Sequence, residues 1–351
     1  MKKVLAIMMV VAMTLLLAAC GKSETTSETK AAEAETTAAA AAVEAAVEET
    51  TAAVEAAVPA GKTIGFSISS ETTDWAVAFC NDIIKSLEAK GYEVKSISAN
   101  AEVDKQISDC EDFVSQGVDA LLLYPAQKDG SVPCVQIAAE AGLPCVVVNR
   151  TLADTVTLGK EYQGYVGNDF VKEGEMMIEW ALENVPGDVL NIVEITGKPG
   201  VSSMVERQTG IMNIVDANDN VNIVSSQSGE WQRQTAMEVM DNIIQAKAGQ
   251  FNVVVCHTDE MALGAVVALE TAGYEVGKDV YVLAVNGMKE AVQAVCDGRL
   301  SCIVTCTPFQ GEAIANMTDA ILKGESYEQN VIIDDYYIDS KNCESELLIA
   351  Y

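Results

Sequence analysis

The chain has 351 residues, 49% of them hydrophobic, enough for about two domains with real cores. Lys and Arg number 22 against 52 Asp and Glu, a net charge of −30, which argues against a nucleic-acid partner because a phosphate backbone is bound by clustered positive charge. The single His, His257, leaves little room for His-based metal sites or a His-dependent triad, and neither metal nor cofactor is expected.

Met1-Lys2-Lys3 is a short positive head, and Val4 to Ala19 is apolar apart from Thr14. The run closes on Leu17-Ala18-Ala19-Cys20-Gly21. A positive head, an apolar core of this length and small residues before a cut site describe a secretory signal. A run of this length is short for a span of the ~30 Å hydrocarbon core. Leu-Ala-Ala-Cys resembles a bacterial lipobox, which implies removal of residues 1–19 and lipid attachment to Cys20. Two or more acyl chains, at about 0.8 kcal/mol per buried methylene, anchor stably. The mature chain is then expected outside the cytoplasm, tethered to the outer face of the cytoplasmic membrane.

Residues 23–58 hold eight Glu against one Lys, Lys30, on a background of Ala, Thr and Val. Such low complexity buries too little to pack, and self-repelling Glu extends a chain. Residues 20–60 read as a disordered linker that carries no site.

From Lys62 onward strands and helices alternate. Lys62–Ser69 reads as a strand, Asp74–Lys90 as a helix stopped by Gly91, Tyr92–Ser98 as a strand and Val103–Gln116 as a helix ended by Gly117. Asp119–Tyr124 is a buried strand, Gly130–Ala141 a helix and Pro144–Asn149 another buried strand. The pattern then restarts. Strands are expected at 164–166, 189–195, 221–226, 251–256, 281–285 and 301–305, and helices at 171–183, 202–217, 231–248, 259–272, 289–297 and 309–322. Short, continuously apolar strands alternating with helices mean βαβ units and parallel sheets covered on both faces. The fold class is therefore α/β, with two doubly wound Rossmann-like lobes.

Ligands in such sheets bind beyond the carboxyl ends of the strands. The loops there hold Ser69 to Trp75, Tyr124, Gln127, Asn149 and Arg150 in the first half. The second half offers Gly197 to Gly200 with Arg207, then Glu230-Trp231, Thr258-Asp259, Asn286 and Cys306. Aromatic faces cover the C–H faces of a sugar, and amides and Arg give directional hydrogen bonds to hydroxyls. Each residue also has a plainer reading: Trp as core, Asp259 as a helix cap, Arg207 as a surface ion pair.

Residues 62–340 resemble the type I periplasmic sugar-binding proteins of bacterial ABC transporters, the ribose- and galactose-binding group. The resemblance is carried by Ile64–Ser69, Gln116–Pro125, Ala138–Pro144, Asn149-Arg150, Gly197–Gly200, Glu206-Arg207 and Thr258–Ala265. It implies two lobes joined by three crossover hinge segments, near 164–168, 305–309 and 333–337. The first lobe then comprises 61–165 plus 308–334, and the second 166–307 plus 335–351. It also implies a monosaccharide in the cleft.

Carried over residue by residue, the resemblance points to Thr73, Trp75, Tyr124, Asn149, Arg150, Arg207, Trp231, Thr258, Asn286 and Cys306 as ligand-binding, with Trp75 and Trp231 sandwiching the ligand. Several depart from the family. Ala76 replaces a second ring, Thr73 and Thr258 stand where Asn is common, and Tyr124 where ribose binders have Asn. Asn149 and Asn286 replace Asp, and Cys306 replaces Gln or Asn. With both Arg retained and both Asp lost, the local balance shifts toward positive. An uncompensated buried charge is costly. Either an anionic ligand such as a sugar acid compensates, or Glu71, Asp74, Glu230 or Asp259 does and the ligand is neutral.

Nine cysteines follow Cys20, with no Cys-x-x-Cys for a metal. Most lie in apolar runs, where free Cys behaves as a small hydrophobe, so mostly free thiols are expected. No nucleophile elbow, metal cluster or phosphate-cradling loop supports an enzyme. The expectation is a monomeric, lipid-anchored solute-binding protein that takes a sugar or polyol by lobe closure and delivers it to ABC permease subunits. The alternative presents the closed form to a membrane sensor kinase or chemoreceptor.

Overall fold

The computed structural model describes residues 61–351. The signal segment, Cys20 and the linker lie outside the described residues.

The chain runs β1 (Thr63–Ile68), α1 (Asp74–Ala89), β2 (Glu93–Ser98), α2 (Val103–Gln116), β3 (Ala120–Leu123), α3 (Val132–Glu140), β4 (Cys145–Val148) and β5 (Gly164–Asn168). A second series follows: α4 (Phe170–Asn184), β6 (Leu190–Thr196), α5 (Ser202–Asp216), β7 (Val221–Ser228), α6 (Arg233–Lys247), β8 (Val253–Cys256), α7 (Asp259–Thr271), β9 (Tyr281–Asn286), α8 (Lys289–Cys296) and β10 (Cys302–Thr305). It closes with α9 (Gly311–Lys323), β11 (Asn330–Ile333), β12 (Tyr337–Ile338) and the single turn α10 (Cys343–Glu346).

Two six-stranded sheets result, ordered β11-β5-β4-β3-β1-β2 and β12-β10-β9-β8-β6-β7. Every pairing is parallel except β10 with β12. Five strands, β3, β4, β5, β8 and β10, are buried at every residue, as parallel strands covered on both faces must be. In the first lobe Phe66, Phe79, Ile83 and Ile314 pack on one side of the sheet, and Phe113, Val135 and Leu121 on the other.

The chain leaves the first sheet after Asn168, returns to it for β11, and leaves again before β12. The 165/166 lobe boundary expected from sequence falls inside β5, because Val166, Gly167 and Asn168 still pair with Val331, Ile332 and Ile333. The helix expected from Trp231 starts only at Arg233, because Glu230 and Trp231 take φ of 54° and 63°. β11, β12 and α10 lie in a stretch where no element was named: β11 alternates in exposure and β12 has two residues.

A disulfide, Cys296–Cys343, ties α8 to α10 with Cα atoms 5.6 Å apart. Cys80, Cys110, Cys134, Cys145, Cys256, Cys302 and Cys306 are free and buried.

Candidate functional site

The carboxyl ends of both sheets face one cavity of about 270 Å³. All ten residues singled out from sequence line it: Thr73, Trp75, Tyr124, Asn149, Arg150, Arg207, Trp231, Thr258, Asn286 and Cys306. A second feature marks the same place. The non-glycine residues with positive φ among the described residues are Asn100, Ala101, Asn149, Glu230, Trp231 and Asn286, and every one of them lines this cavity. Such backbone costs on the order of 1–3 kcal/mol per residue and persists where the surroundings hold a functional geometry.

The first-lobe wall is a column of rings. Thr73 caps α1, its Oγ1 accepting the Ala76 N–H at 3.2 Å. Trp75, one residue into the helix, stacks on Phe79 at 4.9 Å and 18°. Phe79 meets Tyr124 edge-on at 5.2 Å. The Arg150 guanidinium lies 4.5 Å from the Tyr124 ring centre, a cation–π distance. Its Nη1 donates to Ser69 Oγ at 2.7 Å and to the Pro125 carbonyl at 3.0 Å. Among the described residues no carboxylate pairs with it. Burial lowers its pKa, and the Arg207 charge lowers it further. Trp75 also reaches across the cleft, its Nε1 donating to the Cys306 carbonyl at 2.6 Å.

The second-lobe wall is held by charge. Arg207 is buried on α5, with Nε donating to Glu173 Oε2 at 2.6 Å and Nη1 to the His257 carbonyl at 2.9 Å. This pairing exists because α4 and α5 nearly touch. A Cβ on Gly174 would sit 2.1 Å from the Arg207 carbonyl oxygen, and one on Gly210 would sit 1.9 Å from that of Val171. Only glycines permit this approach, which presses Glu173 against Arg207. Burial pushes the Glu173 carboxyl up, while the Arg207 charge opposes it. Behind them His257 Nε2 pairs with Glu194 Oε1 at 3.1 Å, and Glu194 also accepts from Ser226 and Gln208.

Trp231 lies flat on bare backbone: a Cβ on Gly197 would come within 1.8 Å of its ring. Thr258 caps α7, accepting the Met261 N–H at 3.4 Å. The cap read as a plainer role for Asp259 thus falls to its neighbour. Asp259 Oδ2 instead accepts the N–H groups of Gly287 at 2.8 Å and Met288 at 2.6 Å, pinning the loop beside Asn286. Burial pushes Asp259 up to about 7 against those two bonds.

The passages between the lobes meet in a polar knot under the cavity. Asn168 Nδ2 donates to both Asp335 oxygens at 3.0 Å, and Thr305 Oγ1 to Asp335 Oδ1 at 3.2 Å. Gln310 Nε2 donates to Asn168 Oδ1 at 2.7 Å, and Cys306 Sγ approaches that oxygen at 3.5 Å. Burial, then the Glu173 charge, raises Asp335 to about 9. Beside the cleft the lobes touch directly: Lys128 Nζ meets Glu206 at 2.7 Å, and the Lys128 N–H meets the Gly200 carbonyl at 2.9 Å.

One sequence expectation changes. The partner of Arg207 is Glu173, not Glu71, Asp74, Glu230 or Asp259; a Glu on the buried face of a helix with Met176, Met177 and Trp180 was the available signal. Trp75 has one ring face on Phe79 and Trp231 one on Gly197, so each has at most its other face for a ligand. Phe170, Met288 and Tyr351 line the cavity too, and sequence reasoning named none of them.

Two parallel α/β lobes with facing strand ends and one shared cavity define a bilobed binding protein. This chain belongs to the periplasmic binding protein family, whose domain model matches residues 64–326, and has the type I fold. It is similar to the ribose import binding protein RbsB of Bacillus subtilis, 32% identical over 270 residues, covering 77% of this chain and 84% of that one. It is similar to the galactofuranose-binding protein YtfQ of Escherichia coli, 30% identical over 254 residues, covering 72% and 79%. A Mycobacterium smegmatis structure in complex with β-D-fucofuranose superposes with TM-score 0.77 at 30% identity, covering 82% of this chain and 94% of that one.

Proposed function

We propose that the chain is an extracytoplasmic solute-binding protein that captures a neutral monosaccharide or polyol between its lobes and delivers it to an ABC permease. The observation that carries this reading is a set of unpaired polar atoms on the cavity wall. Asn149 Nδ2, Arg150 Nε, Trp231 Nε1 and Asp259 Oδ1 are buried without a hydrogen-bond partner among the described residues. Buried polar groups are normally paired, and a ring of hydroxyls both donates and accepts. At about 270 Å³ the cavity lies just below the ~300–1,000 Å³ of drug-sized sites, which suits one sugar ring rather than a chain of them. Glu173 already offsets Arg207, which supports a neutral ligand; Arg150 has only neutral acceptors and is the charge that a sugar acid would meet instead. The sugar names of the relatives, two of them furanoses, support the class. A ligand touching both walls favours the closed arrangement over an open one.

Anchoring through a lipidated Cys20 completes the proposal. In Cys20→Ala the protein is expected in the soluble fraction or unprocessed; a processed, lipidated species among the membranes contradicts the anchor. For the ligand, calorimetry is run with D-ribose, D-galactose, L-arabinose, D-fructose and myo-inositol, each aldose beside its sugar acid. A neutral sugar is expected to bind, and Trp75→Ala or Trp231→Ala to weaken it by roughly 1–3 kcal/mol. Binding of the acid alone, or full affinity in both tryptophan variants, overturns the reading.

A further inference from the structure

Tyr351 follows α10, in a stretch where the sequence suggested no element, yet it lines the cavity beside Met288, Asp259 and Cys306. Its position is fixed at several points. The Cys296–Cys343 disulfide fastens α10 to α8. Leu347, Ala350 and Tyr351 pack on the second-lobe core. The N–H of Lys289, first residue of α8, donates to the Tyr351 backbone oxygen at 2.9 Å. The ring meets Phe309 edge-on at 6.4 Å and 90°. Phe309 lies on the passage back to the first lobe and is 55% exposed, so Tyr351 stands between the cavity and solvent. Burial holds its phenol neutral, with the Asp259 charge acting in the same direction. A neutral phenol carries a donor and an acceptor on an apolar ring, the two features a sugar face requires.

We propose that Tyr351 is a ligand-contacting, size-limiting residue of the sugar site, held in place by the Cys296–Cys343 bridge and the Lys289 N–H. The proposal deepens the sugar-binding reading and rests on it. Tyr351 bounds the cavity beside Met288, Asp259 and Cys306, so its ring also limits ligand size, leaving less room for a glycoside than for the free sugar. The bridge and Lys289 are positioning elements and touch no ligand.

The test is calorimetry with D-ribose, D-galactose and L-arabinose and with their methyl glycosides. It uses the unmodified protein, Tyr351→Ala, Tyr351→Leu and the double variant Cys296→Ser/Cys343→Ser. Tyr351→Leu keeps an apolar side chain on the core should the alanine variant fail to fold. The best free sugar is expected to bind at least tenfold more weakly to either Tyr351 variant, with its preference over the glycoside falling several-fold. The double variant shifts both in the same direction. Hydrogen exchange of the Lys289 amide is expected to quicken in the double variant. A free sugar that binds both Tyr351 variants within twofold of the unmodified protein overturns the inference and leaves the sugar reading standing. Binding of no probe by the unmodified protein overturns the sugar reading itself; unchanged Lys289 exchange then overturns the positioning as well.

Discussion

Arg150 and Arg207 face each other across the cavity with opposite surroundings. Arg150 lies over the Tyr124 ring, takes two neutral acceptors and keeps a buried Nε without a partner. Arg207 is locked to a fully buried Glu173 and to the His257 carbonyl. Arg207 has its charge offset by Glu173, whereas Arg150 has only neutral acceptors, so its charge and its unpaired Nε can act on a ligand. The Arg207 side of the second-lobe wall is therefore braced, and reading falls to the unpaired atoms of Asn149 and Arg150 on the first wall and of Trp231 and Asp259 on the second.

Breaking the brace is expected to have the largest effect. Glu173→Ala leaves Arg207 buried and uncompensated, which costs about 3–5 kcal/mol and is measured as a shift of the urea midpoint. A variant as stable as the parent would mean that Arg207 is not braced. On the other wall, Arg150→Gln is expected to change stability by under about 1 kcal/mol while weakening the ligand by about 1.5–3 kcal/mol, the range for hydrogen bonds to a charged group. Equal losses in folding and binding would erase the contrast.

Acidity sharpens it further. The folded Asp259 value of about 7 lies above its ordinary 3.8, so the folded state holds the proton where the unfolded state has released it. Stability accordingly falls as pH rises from about 4 to about 7 and levels off above, by up to about 1.4 kcal/mol per pH unit. Asp335 acts in the same direction up to about 9. Asp259→Asn keeps an acceptor for Gly287 and Met288 but does not titrate. Urea midpoints between pH 4.5 and 7.5 are expected to slope less steeply in this variant, and identical slopes refute the assignment. The smallest effect belongs to the contact between the lobes. Lys128→Ala removes a partly exposed ion pair to Glu206 and is expected to cost under about 1 kcal/mol; a larger loss in the melting curve would move the brace to the rim of the cleft.

The sheets were legible in the sequence because their central strands are short, continuous apolar runs: residues 120–123, 145–148 and 253–256 are buried throughout. The ten cavity residues were legible because strand ends converge by topology and because the family resemblance picked among them. The Arg207 partner was not, since Glu173 lies 34 residues away and reaches it only through the glycine contact of α4 with α5. Left-handed backbone at Glu230 and Trp231 leaves no mark in composition, as neither residue type favours it. Tyr351 and the Cys296–Cys343 pairing depend on where the chain doubles back after β12, which periodicity does not encode.

The unbridged cysteines make the protein convenient to label. Thiolates, not thiols, attack maleimides. Burial raises the pKa of Cys80, Cys145, Cys256, Cys302 and Cys306, a Cys110 hydrogen bond and then burial raise that of Cys134, and Cys110 is itself inaccessible. A cysteine substituted at Val77, exposed on α1 two residues from Trp75, would then be the reactive thiol among the described residues. A fluorophore attached there would report cleft occupancy as a change in emission, with the native cysteines left in place.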